Sequence, residues 1–257
     1  MNGAGNLELS LQDNQDLKII GHRGSKEGFF ENTIPAFLAS YNCGSYGVEL
    51  DLQITKDDKV IIYHDYEFHP LKRLIKDINY EEIQAHKFPD GSKVPLLSEL
   101  FQAFKNKPHL EFNLELKREA KNPDLTKTTT QITSLVLEVI KGAKFENRVY
   151  YSSFDVEILR ELRKKDPSLI LAFLVESEDF QNFKNENYFK EIADELSIEI
   201  LSVPSSVINI ENLNYLRSIC KRIVVWTVND LDDFEKLLRL GIREIITDTP
   251  RKFSLKK

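Results

Sequence analysis

Cysteine, methionine and tryptophan are scarce in these 257 residues, at two, one and one, and the scarcity excludes several classes of protein. Cys43 and Cys220 lie far apart, and neither has a neighbour at metal-ligand spacing, so the sequence predicts two reduced, structural thiols rather than a disulfide framework or a zinc site. No apolar run is long enough to cross a bilayer, and none near the amino terminus has the form of a signal peptide. The expectation is therefore a cytoplasmic protein with no stable membrane insertion. Positive charge is not in excess either: 35 Lys and Arg against 41 Asp and Glu give a formal net charge of -6, which argues against a nucleic-acid partner. The local cluster Lys72, Arg73 and Lys76 reads as a solvated face, and the run Arg163-Lys164-Lys165 suits the end of a helix.

Hydrophobic residues make up 41% of the chain. That is enough, at this length, for one sizeable core. Residues 1–16 are polar and rich in Asn and Gln, and are expected to form a loose leader, with 17–257 as a single domain. Strand-like runs begin near Ile19, Val48 and Leu110 and recur at 149–152, 169–175, 198–203, 223–228 and 245–247. Helical spacing of apolar residues appears at 33–43, 98–104, 126–141, 156–165, 189–196, 209–219 and 231–240. Eight strands alternating with helices predict an α/β fold, the closed (β/α)8 TIM barrel. A further strand at 60–63 is expected to pair beside the second as a hairpin. Regular alternation then lapses over about 66–96, a small insertion after the His64 strand with one short helix at 80–86 and a turn at 89–91. Asn32 is placed to cap the first helix, with Pro35 tolerated in its first turn.

The candidate chemistry is concentrated between Ile19 and Asp65. His22 and Arg23 follow an apolar run and would emerge at the carboxyl end of the first strand, between Gly21 and Gly24, which permit a tight turn. Glu49 and Asp51 alternate with Val48, Leu50 and Leu52, so a period of two throws both carboxylates onto one face. Parallel barrel strands are covered on both faces, which leaves such acids no wet surface to occupy. Glu115 joins them from a later strand on which Glu111, Asn113, Glu115 and Lys117 share a face. Three acids turned inward call for positive charge, and a hard, oxygen-seeking cation such as Mg²⁺ or Ca²⁺ answers that need. His64 closes the strand at 60–63 and pairs with His22 as a candidate acid–base set. His69, His86 and His109 are read as ordinary histidines.

Taken in order, His22-Arg23-Gly24, Glu31-Asn32-Thr33, the run Glu49-x-Asp51-x-x-x-Thr55-Lys56-Asp57 and His64-Asp65 resemble the glycerophosphodiester phosphodiesterase family. Asn113-x-Glu115-x-Lys117, Val-Trp-Thr-Val-Asn at 225–229 and Ile-Ile-Thr-Asp-Thr-Pro at 245–250 extend the resemblance to nearly the whole chain, from about Lys18 to Pro250. The resemblance implies hydrolysis of a small-molecule glycerophosphodiester to glycerol 3-phosphate and an alcohol. It implies one divalent cation on Glu49, Asp51 and Glu115, proton transfer by His22 and His64 in either order, and phosphate contacts from Arg23 and Lys117. Glu31 and Trp226 would face the substrate, although Glu31-Asn32-Thr33 also reads as a helix start and Trp226 as core. The nucleophile is expected to be the substrate's own 2-hydroxyl, since Ser25 lacks the strained elbow sequence that exposes a nucleophilic serine. The insertion does not keep the arginine- and threonine-rich signature of relatives, so substrate specificity is where a difference is expected. Two alternatives stand beside this reading: a lysophospholipase D or phospholipase-type enzyme acting on lipid headgroups, and a noncatalytic barrel that binds phosphate. The oligomeric state is not legible in the sequence.

Overall fold

The computed structural model describes residues 16–183 and 187–254. Residues 1–15 of the expected leader lie outside the described residues. The strands are β1 (Lys18–His22), β2 (Gly47–Ile54), β3 (Val60–Ile62), β4 (Glu67–Phe68), β5 (Arg73–Leu74), β6 (Glu111–Leu116), β7 (Val149–Ser153), β8 (Leu171–Leu174), β9 (Ile200–Pro204), β10 (Arg222–Trp226) and β11 (Glu244–Thr247). β1, β2 and β6 to β11 pair in parallel, and β1 pairs with both β2 and β11, so the sheet closes into the expected eight-stranded barrel. β3 runs antiparallel to the end of β2, with Leu52 opposite Ile62 and Ile54 opposite Val60.

Alternation along each strand sorts the side chains into two environments. Val48, Leu50 and Leu52 on β2 and Phe112 and Leu114 on β6 join the large apolar cluster with Leu97, Phe101 and Phe104 of the helix Leu97–Phe104. The residues between them point into the barrel, where Ile20, Tyr150, Ala172, Ile200, Val224 and Ile246 form a separate cluster with Trp226 packed on it. Charged side chains from the starts of four strands meet below that cluster. Arg222 bonds Glu244 at 2.8 Å and Glu111 at 2.7 Å, and Lys18 reaches Glu244 at 3.2 Å. The amino-terminal end of the barrel is thus occupied by ion pairs, and the chemistry is left to the carboxyl ends.

The insertion is ordered around its own small core of Ile61, Tyr63, Phe68, Ile75, Ile78, Ile83 and Val94. Its two-stranded ribbon, β4 with β5, was not among the expected elements, nor was the helix Ser177–Phe183. Asn32 does not cap the first helix. Thr33 does, its hydroxyl accepting from Ala36 N, while Asn32 adopts a positive φ of 56° and turns its side chain into the barrel. Among the described residues no helix is long and apolar enough to cross a membrane.

Candidate active site

β1 ends in a turn that only glycine fits at two points. A Cβ on Gly21 would lie 2.3 Å from Ser40 Oγ, and Gly24, at φ +90°, would place one 2.7 Å from the backbone of Ala36. The turn packs directly onto the first helix, which fixes the direction of His22 and Arg23. Arg23 then points across the barrel mouth: its backbone N–H donates to Glu49 Oε2 at 3.0 Å, its Nε lies 3.2 Å from Asp51 Oδ2, and its Nη1 donates to Glu31 Oε1 at 2.7 Å.

The three predicted acids converge. One carboxylate oxygen from each of Glu49, Asp51 and Glu115 lies within 4.8 Å of the others. The register explains it, because β2 and β6 pair with Asp51 opposite Glu115, and Glu49 lies two residues earlier on the same face. Asn32 Nδ2 donates to Asp51 Oδ2 at 2.8 Å and holds that carboxylate in place. Lys117 Nζ lies 2.8 Å from Glu115 Oε1 and 3.6 Å from Asp51 Oδ1. Burial first, then Asp51 and Glu115, push the Glu49 carboxyl well above the ordinary range. Burial also raises Glu115, with Asp51 adding to it and Lys117 opposing. For Asp51, burial acts upward but Lys117 and Arg23 outweigh it and hold the carboxyl low. The two cations, Lys117 and Arg23, therefore do not balance the cluster, and among the described residues the buried Asp51 Oδ1 has no hydrogen-bond donor. An all-oxygen donor set with spare negative charge fits a divalent Mg²⁺- or Ca²⁺-type ion.

Each of the two predicted histidines is braced by a carboxylate. His22 Nδ1 donates to Asp248 Oδ1 at 2.7 Å, while His22 Nε2 stands 4.0 Å from Glu49 Oε2. His64 Nδ1 donates to Asp65 Oδ1 at 2.6 Å. An ionised carboxylate only accepts, so the proton belongs on Nδ1 and the other nitrogen is left for the cleft. Asp248 follows β11 and is itself held by Lys26 Nζ at 2.8 Å and by Asn229 Nδ2 at 2.7 Å. Both histidines, Arg23, Glu49, Glu115 and Lys117 line a cleft of about 780 Å³, which continues past Tyr66, Phe154 and Trp226. Phe154 and Trp226 meet edge to face at 5.9 Å.

Residues 22–252 match the Glycerophosphoryl diester phosphodiesterase family. The chain belongs to that family. It is similar to a glycerophosphodiester phosphodiesterase of Caldanaerobacter subterraneus subsp. tengcongensis, with 30% identity over 90% of this chain and 94% of the relative. The crystal structure of a glycerophosphodiester phosphodiesterase from Thermotoga maritima superposes with a TM-score of 0.74 at 29% identity, covering 92% of this chain and 96% of that one. A phosphodiesterase of Oleispira antarctica, solved in complex with the product sn-glycerol-3-phosphate, shares the fold with a TM-score of 0.76 at 20% identity over 91% of this chain and 94% of its own.

Within this phosphodiesterase-family barrel, the residues predicted from sequence do not all stand in one place. Glu31 is set behind Arg23, bonded to it and to Lys26 Nζ at 2.9 Å, so it aims Arg23 and does not line the cleft. Trp226 ends β10 half-buried, on the cleft wall and packed against the inner apolar cluster. Asn32, Lys26, Asn229 and Asp248 were missed as site residues. Asp248 had a signal, since it directly follows the last strand in the Ile-Ile-Thr-Asp-Thr-Pro motif, but its pairing with His22 spans nearly the whole chain.

Proposed function

We propose that this barrel hydrolyses glycerophosphodiesters to glycerol 3-phosphate and an alcohol by proton transfer between His22, His64 and the substrate, beside a divalent cation on Glu49, Asp51 and Glu115. The observation that carries the reading is one cleft lined by two carboxylate-braced histidines and by Glu49 and Glu115, which with the buried Asp51 behind them form a three-acid cluster carrying more negative charge than its lysine and arginine neutralise. A phosphate-binding barrel without catalysis has no use for two histidines held by Nδ1. The cation, Mg²⁺ or Ca²⁺, would supply Lewis-acid polarisation of the phosphate. Arg23 and Lys117 present fixed positive charge at the same cleft wall and suit the phosphate oxygens.

One histidine takes the proton of the attacking hydroxyl, and the other gives a proton to the departing alkoxide. The attacking group is the glycerol 2-hydroxyl, tethered next to phosphorus and so effectively intramolecular. A cyclic phosphate results, which water opens as the histidines exchange roles. Ser25 does not compete for this part: it is buried, points to Glu27 at 3.4 Å and does not line the cleft. Phe154 and Trp226 offer apolar walls to the rest of the substrate. We further propose a cytoplasmic location, and residues 17–257 as one barrel domain. Incubation with glycerophosphocholine, glycerophosphoethanolamine and glycerophosphoglycerol, with enzymatic detection of glycerol 3-phosphate, tests it. Release from at least one substrate is expected, and release from none would overturn the assignment.

A further inference from the structure

We infer that His69, an exposed residue of the insertion, is a positioning residue for His64 and acts through Asp65. The inference rests on the proposed role of His64 in proton transfer. Asp65 stands between the two rings, with Oδ1 accepting from His64 Nδ1 and Oδ2 accepting from His69 Nε2, both at 2.6 Å. His22 provides the contrast. Its carboxylate, Asp248, is three-quarters buried and fixed by a lysine and an amide. Asp65 has a side chain 42% exposed, and among the described residues the two histidines are the side-chain partners of its carboxylate. Without His69, water competes for Oδ2, and the carboxylate is free to turn about its last torsion. His64 then loses the fixed acceptor that sets its ring orientation and keeps its proton on Nδ1.

His69 is placed by packing and not by a loose loop. It directly follows β4, whose Phe68 is buried and meets the rings of Tyr63 and His86 edge to face, each at 5.5 Å. Backbone bonds from Leu71 and Lys72 to Phe68 O, both 3.0 Å, close the turn around it. The second ring nitrogen of His69 lies 3.9 Å from Glu67 Oε1. From the other side, Gln53 Nε2 of β2 donates to the backbone oxygens of His64 and Asp65 at 3.4 and 3.2 Å, so the backbone of the pair is fixed independently of His69. What His69 adds is the orientation of the Asp65 carboxylate. The small core of the insertion thereby reaches the chemistry of the barrel. An exposed pair of this kind contributes little to folding, so a role in placement would show in turnover and not in stability.

The test compares wild type, His69→Ala and His69→Gln, whose amide can still donate to Asp65. With five histidines in the chain, ring ¹⁵N signals of ¹⁵N-histidine protein are few, and loss of one set in His64→Ala assigns His64. In wild type, neutral His64 is expected to carry its proton on Nδ1. His69→Ala should mix in the Nε2-protonated form and lower kcat about 3- to 10-fold with KM within about twofold, a share of the usual cost of losing an orienting partner. His69→Gln should restore both the nitrogen pattern and most of kcat. Unchanged His64 signals in His69→Ala would overturn the inference, as would a loss of turnover that glutamine does not rescue. The nitrogen signals report placement whether or not glycerophosphodiesters are the substrates, so failure of the inference and failure of the proposed function are told apart.

Discussion

His22 and Asp248, at opposite ends of the barrel chain, meet at 2.7 Å through Nδ1 and Oδ1, and this contact directs the remaining ring nitrogen of His22 toward Glu49. β1 and β11 bring them together, since they pair side by side with Gly21 opposite Thr247. Asp248→Asn can present an N–H where the carboxylate accepted, favouring the wrong imidazole tautomer. We expect kcat to fall about 10²-fold, between the modest cost of an outer hydrogen bond and the ~10⁴-fold cost of the equivalent exchange in a serine-protease triad, with KM changing less. Steady-state kinetics check it, and unchanged turnover would contradict it.

The same residue makes a prediction for acid stability. Burial acts to raise the Asp248 carboxyl, but hydrogen bonds from His22 and Lys26 outweigh it and hold it well below the ordinary range. A depressed carboxyl contributes stability above its unfolded pKa of about 3.9 and loses it as pH falls through the folded value. The difference in unfolding free energy between wild type and Asp248→Asn should therefore be steady near neutrality and shrink below about pH 4. Urea unfolding at a series of pH values measures it, and a gap that stays constant into strong acid would contradict it.

His22→Ala and His64→Ala should each lower turnover by about 10²- to 10⁴-fold, the usual contribution of a positioned acid or base. Neither side chain belongs to the apolar core, so circular dichroism and melting should stay near wild type.

Much of this site was legible because its residues obey a period of two. Glu49, Asp51 and Glu115 lie on strands whose intervening residues are plainly apolar, and pairing of β2 with β6 was enough to bring them together. Eight apolar runs separated by helical spacing gave the barrel for the same reason. What escaped depends on contacts that no local pattern records. Asn32 has the chemistry of a helix cap, and only the positive φ at that position frees its amide for Asp51. Asp248 is assigned by closure of the barrel, which joins residues far apart in sequence. His69 reads as an ordinary polar residue until the β4–β5 ribbon folds it against Asp65.

The nucleophile is tested by a glycerophosphocholine analogue that lacks only the 2-hydroxyl. The analogue should bind with an affinity close to that of the parent, since one hydroxyl contributes on the order of 1 kcal/mol, and should turn over at least about 10³-fold more slowly because the intramolecular attack is lost. A comparable rate would replace the 2-hydroxyl by direct attack of water.

The metal requirement bears most directly on the whole account. Purified protein is stripped with a chelator, its metal content measured by elemental analysis, and glycerol 3-phosphate release followed as Mg²⁺ or Ca²⁺ is returned, in parallel with Glu49→Gln and Asp51→Asn. The account predicts that stripped wild type is inactive, that a divalent cation restores it at about one ion per chain, and that the two variants fold but bind the ion weakly and stay inactive. Full activity of protein shown to be free of metal would contradict it.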